Sequence, residues 1–149
     1  MSMIIRERRA TGHAPWLALL GAWLVALSAS LGAIFIGEVM GQAPCVLCWF
    51  QRAFMFPLAI ILAIAAFRSD RGVIDYAAPL AAIGWVVALY HLLLYLGVES
   101  QALQPCGAGP SCAEGAMSLF GSLPIPLLSL GAFTAIILFL MFCYRNSKS

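Results

Sequence analysis

Apolar residues fall in four long runs along the chain, and polar residues collect between them. The runs cover 15–37, 49–67, 73–97 and 125–143. A helix needs roughly 20 mostly apolar residues to cross about 30 Å of hydrocarbon, and each run is about that long. The first run holds no ionisable residue. The second is apolar apart from Gln51 and Arg52 near its start, and the third apart from Asp75 at one end and His91 inside. Together they take most of the chain, with short connections and no internal repeat. The expected fold is an all-α integral membrane protein, a four-transmembrane-helix bundle forming a single domain over 1–149.

Composition narrows the alternatives. Of 149 residues, 63% are hydrophobic and 9% charged, and the mean hydropathy is +0.98. Soluble domains carry about 25% charged residues, and disorder requires low hydrophobicity with high charge, so both classes are excluded. A net charge of +2 is too small to suggest nucleic-acid binding. The first run resembles a secretory signal, since Arg6, Arg8 and Arg9 precede it. Signal cores span only about 7–15 apolar residues. This run continues past its small residues and three more spans follow, so it reads as a retained helix.

Basic residues orient the spans, because Lys- and Arg-rich segments stay in the cytoplasm. Arg6, Arg8 and Arg9 lie on the N-terminal tail, Arg68 and Arg71 between spans two and three, and Arg145 and Lys148 on the C-terminal tail. Four spans put these seven on one side and Arg52 alone on the other. Both termini are therefore expected in the cytoplasm, with outer loops at 38–48 and 98–124. Cys45, Cys48, Cys106 and Cys112 then fall on the outer face, which in a bacterium is the periplasm, where disulfides persist. Cys143, at the inner end of span four, reads as a small buried residue kept reduced.

The first pair lies in Ala43-Pro44-Cys45-Val46-Leu47-Cys48-Trp49-Phe50-Gln51-Arg52. Pro44 suits a helix start, which puts Cys45 and Cys48 in the first turn, on one face. The positive helix end favours a thiolate there, and a loop this small gains little as a structural staple. The pair therefore reads as redox-cycling. Arg52 continues the Cys45, Cys48 stripe about 6 Å deeper. A lone Arg on the outer side breaks the chain's charge pattern, and its expected task is to stabilise an anion, a thiolate or a reduced cofactor carbonyl. The bland alternative is a snorkelling anchor. His91 lies about 9 Å from the outer end of span three, a depth from which it could flank one pocket with Arg52 or simply bond a neighbouring helix. Tyr90, Tyr95 and Trp49 read as interface aromatics, and Pro57 as a kink in span two.

The second pair, Cys106 and Cys112, is separated by Gly107-Ala108-Gly109-Pro110-Ser111. It reads either as a structural clip or as an exchangeable disulfide. Ala113, Ala116, Met117 and Phe120 are spaced for one helix face, which predicts a short outer-face surface helix running to Leu123. Two pairs on one side suggest a relay. A soluble dithiol would attack Cys106–Cys112, which Cys45–Cys48 would reoxidise. No metal cluster, haem or nucleotide motif is present to accept the electrons, which points to a lipid-soluble quinone.

These residues resemble the disulfide bond formation protein B (DsbB) family of bacterial inner membranes. The resemblance rests on Cys45-Val46-Leu47-Cys48 followed by Gln51-Arg52 in a four-span chain, on Cys106 and Cys112, on Tyr90-His91, and on Phe120-Gly121-Ser122-Leu123-Pro124-Ile125-Pro126. It implies a protein-thiol:quinone oxidoreductase using ubiquinone or menaquinone, with a periplasmic thioredoxin-fold oxidant resembling DsbA as partner. It also implies that Cys106 takes the mixed disulfide with Cys112 as its mate, and that Cys48 faces the quinone. Arg52, Gln51 and His91 would form the cofactor side, with no metal ligand. The second pair is more closely spaced than in the best-known members, which makes this a short-loop member. Two other readings remain at this point: a four-Cys metal-binding membrane protein, and a structural subunit with two disulfide clips.

Overall fold

The computed structural model describes residues 13–98, 118–119 and 123–148. Four long helices dominate. Helix α1 spans His13–Ile34 and continues as a π-helical turn over Phe35–Val39. Helix α2 spans Val46–Arg68, α3 spans Ile74–Tyr95 after a 3-10 turn at Arg71–Val73, and α4 spans Ile125–Lys148. All four are long and apolar enough to cross a membrane. They pack in a ring in which α1 and α3 each lie between α2 and α4.

Small side chains let the helices approach. Ala18, Ala22 and Ala26 are buried on α1, and Ala77, Ala81, Gly84 and Ala88 on α3. Such spacing is what membrane bundles use, because lipid offers no hydrophobic drive for association and close backbone contact must supply the packing. Large side chains from α4 fill the space left. The Phe133 ring lies so close to Gly84 that any Cβ there would overlap it, and Phe139 packs on Gly21. Polar side chains tie helix to helix: Trp16 Nε1 donates to Ala66 O at 3.0 Å, and Trp85 Nε1 donates to Thr134 Oγ1 at 2.9 Å. Cys143 is fully buried in the core, as its apolar neighbourhood requires.

The α2–α3 connection is tight. Ser69 adopts the left-handed conformation at φ 51°, and its N–H reaches the last carbonyls of α2. Asp70 then accepts from Gly72 N at 2.8 Å and starts the 3-10 turn. This carries Arg68 and Arg71 at one end of the bundle. At the other end, α1 leads through a short connection to Cys45, which precedes the first residue of α2 in extended backbone. Helix α2 runs unbroken through Pro57.

One expectation changes. The described end of the segment read as a surface helix is an antiparallel pair, Ser118–Leu119 with Leu123–Pro124. Pro124 accounts for the extended end, since the residue before it, Leu123, is pushed to extended backbone, and Gly and Ser, the residue types at 121 and 122, favour turns over helix. The first part of that segment lies outside the described residues, as do Cys106 and Cys112.

Candidate active site at the start of α2

Cys45 is the residue before the first turn of α2 and is buried, while Cys48, within that turn, is half-buried. Their sulfurs are 3.3 Å apart, so the two thiols touch and need little motion to reach the roughly 2.05 Å of a disulfide. The pair sits at the positive end of a 23-residue helix, which favours a thiolate. Leu47 and Leu94 are buried with Cys45, and Val87, Tyr90 and Tyr95 pack against them. Tyr90 and Tyr95, expected as interface aromatics, thus form part of the wall around the dithiol.

His91 of α3 is completely buried, and its Nε2 lies 3.7 Å from Cys45 Sγ. Its other nitrogen, Nδ1, is 2.9 Å from Gln51 Nε2. Gln51 in turn accepts from Ser129 Oγ of α4 at 2.7 Å through its Oε1. The chain of contacts has a direction. Ser129 donates to the Gln51 carbonyl, which leaves the Gln51 amide N–H for Nδ1. With the amide so placed, a neutral imidazole accepts at Nδ1 and carries its proton on Nε2, facing sulfur. Three helices, α2, α3 and α4, therefore converge on one cysteine.

Arg52 turns the other way. Its Nη2 donates to Ala33 O of α1 at 2.6 Å, its guanidinium packs on Gly37, and it stacks on Trp49 with 5.4 Å from Cζ to the ring centroid. Consecutive helix positions are about 100° apart, so Gln51 and Arg52 serve different sides of α2. Of the two readings of His91, a pocket shared with Arg52 or a bond to a neighbouring helix, the contacts match the second: His91 meets Gln51 and Cys45, while Arg52 meets the end of α1. Gly37 is where this matters sterically, since a Cβ there would lie 2.9 Å from Arg52 Nη2.

Sequence reasoning missed Ser129 altogether. Its signal was a hydroxyl one turn inside a span whose other polar side chain is Thr134, a place where a polar group needs a partner. The donor atoms of Cys45, Cys48 and His91 lie within 4.8 Å of one another, and they are the residues here able to hold a soft metal.

Comparison with known proteins agrees with this geometry. Residues 14–143 match the family described as disulfide bond formation protein DsbB. The chain is 58% identical over 133 residues to a probable disulfide formation protein of Metapseudomonas resinovorans, covering 89% of this chain and 92% of that one. It is 39% identical over 131 residues to disulfide bond formation protein C of Bacillus subtilis (strain 168), covering 88% and 94%. A probable disulfide formation protein of Coxiella burnetii (strain CbuK_Q154) is 37% identical over 126 residues, covering 84% and 86%. No solved structure matches the chain. With a touching cysteine pair at the mouth of one membrane helix and a family match across all four, this chain belongs to the DsbB family of disulfide bond formation proteins, which implies an oxidoreductase acting on thiols.

Proposed function

We propose that the chain is a quinone-dependent thiol oxidase that reoxidises a periplasmic DsbA-like dithiol partner. Electrons pass from the partner to Cys106 and Cys112, then to Cys45 and Cys48, then to a membrane quinone, ubiquinone or menaquinone. The protein acts as one four-span unit in the bacterial inner membrane, with both termini cytoplasmic and the dithiol on the periplasmic face. The distribution of Lys and Arg supports that sidedness. The observation that carries the reading is a touching dithiol at a membrane helix N-terminus with an imidazole on its buried sulfur.

Thiol exchange needs only groups of the chain itself. A thiolate of the outer pair attacks one sulfur of the Cys45–Cys48 disulfide. A mixed disulfide forms, and the other sulfur leaves as a thiolate carrying the electron pair. The second outer thiolate then closes Cys106–Cys112 and releases the remaining sulfur, so two electrons have moved inward. His91 Nε2–H, 3.7 Å from Cys45 Sγ, and the α2 N-terminus both stabilise negative charge on Cys45.

The surroundings of Cys48 fit a quinone. Trp49 and Phe50 are 59% and 50% exposed, a flat apolar flank open to the bilayer. Arg52 beside Trp49 carries five N–H donors, of which the bond to Ala33 O takes one. A bound quinone would supply the two-electron acceptor, and Arg52 is the residue that would hold it, with Trp49 alongside. Gln51 and Ser129 act at one remove, by orienting His91.

Purified protein, a reduced periplasmic thioredoxin-fold partner and quinone test the reading. Quinone reduction should require Cys45, Cys48, Cys106 and Cys112. Turnover that survives Cys48→Ala would refute it.

A further inference from the structure

We propose that the reduced Cys45–Cys48 pair and His91 form a three-ligand site for a soft divalent cation, represented by Zn²⁺, and that its occupation holds the pair reduced. This is neither a four-cysteine site nor a cofactor of the oxidase. It is a second ligand class for the membrane-proximal pair alone.

The separations suit a tetrahedral ion. Zinc binds sulfur at about 2.3 Å and imidazole nitrogen at about 2.0–2.1 Å, so ideal edges are about 3.8 Å between sulfurs and about 3.6 Å from sulfur to nitrogen. The two sulfurs are 3.3 Å apart, Cys45 Sγ to His91 Nε2 is 3.7 Å, and all three donor atoms lie within 4.8 Å of one another. To complete three corners, Cys48 Sγ opens from Cys45 Sγ by about half an ångström and closes on His91 Nε2, from which it lies within 4.8 Å. A fourth ligand, water or another donor, completes the tetrahedron.

Charge favours the same ion. Two thiolates and a neutral imidazole bring −2 to a buried place, and a divalent cation cancels it without another ion having to be desolvated. Binding releases both thiol protons and moves no electrons. The soft donors select Zn²⁺ or Cd²⁺ over Mg²⁺ or Ca²⁺.

The residues behind His91 are built to permit this. A metal-bound imidazole passes its other ring N–H to an oxygen acceptor. A half-turn of the Gln51 amide puts Oε1 on Nδ1–H and the amide N–H on Ser129 Oγ. That hydroxyl can then donate along its own helix, where Pro126 O lies at 3.2 Å. Only the Gln51 oxygen and nitrogen exchange places, and the hydrogen-bond directions reverse with them. A disulfide offers no thiolate, so the site exists only in the reduced protein.

The test uses the full chain in detergent with Cys106, Cys112 and Cys143 changed to Ser. The reduced protein is titrated with Zn²⁺ against a chromophoric chelator, and with Cd²⁺ while the thiolate-to-metal absorption is followed. One ion per reduced chain and none per oxidised chain is expected, with affinity falling tenfold or more in His91→Ala. Failure of the reduced protein to bind one ion, or equal affinity in a folded His91→Ala, overturns the proposal, the latter because the dithiol alone then suffices. If His91→Ala does not fold, Gln51→Glu carries the test. Its carboxylate accepts from Nδ1–H and should tighten Zn²⁺, and unchanged or weaker binding there overturns the site equally.

Discussion

Gln51 Nε2 stands 2.9 Å from His91 Nδ1, joining α2 to α3 behind the dithiol, with Ser129 Oγ completing the link to α4 at 2.7 Å. Gln51→Leu would leave Nδ1 and the Ser129 hydroxyl without the amide and free the ring to turn. A buried polar group left unsatisfied costs about 1–3 kcal/mol. Thermal unfolding in detergent should show that loss, and Cys45 alkylation rates against pH should shift upward as its hydrogen-bond donor loosens. Ser129→Ala should do the same to a smaller degree.

His91→Ala removes the N–H facing Cys45 and leaves the thiols in place. Turnover should fall about 100-fold or more, the low end of what one positioned proton-handling group contributes. Stopped-flow measurement of the two half-reactions checks it. Loss confined to the thiol-exchange half would match the contact with Cys45.

Arg52 separates the two halves of the proposed cycle. Arg52→Ala should raise the quinone KM about tenfold, the equivalent of about 1.4 kcal/mol, and change exchange with the partner thiol less. Arg52→Lys should rescue little, since an ammonium cannot reproduce the planar fork that bonds Ala33 O while stacking on Trp49. Equal loss in both halves would instead assign Arg52 to holding α1 against α2.

Gly84 tests the packing apart from the chemistry. Gly84→Ala drives a methyl into the Phe133 ring, and overpacking of this kind costs about 1–3 kcal/mol. The melting temperature should drop while the quinone KM stays the same. Gly84→Ala with Phe133→Leu should recover part of the loss.

Sidedness has a direct check. In a cysteine-free background, Gln42→Cys should react with a membrane-impermeant maleimide on spheroplasts, and Ser69→Cys only after permeabilisation. Reversed labelling would overturn the charge-based orientation.

The bundle was legible because apolar length is a local property. The runs 15–37, 49–67, 73–97 and 125–143 needed no tertiary knowledge, and the helices His13–Ile34, Val46–Arg68, Ile74–Tyr95 and Ile125–Lys148 extend or trim them by a few residues. Cys45 and Cys48 were legible for the same reason, because one helix sets their spacing. The partners of that pair were not. Which of Gln51 and Arg52 turns toward α3 depends on the rotation of α2 in the ring, which one chain's periodicity does not fix when nearly every face is apolar. Ser129 was invisible because it matters only through a glutamine 78 positions away.

Ser129 also makes the reaction centre a property of the bundle rather than of one helix. It sits in the first turns of α4 and reaches the imidazole beside Cys45 through Gln51 of α2. Were α4 undocked, the two thiols would remain and the hydroxyl behind them would be gone. Docking and chemistry are coupled in this way: whatever loosens α4 is felt at the sulfur.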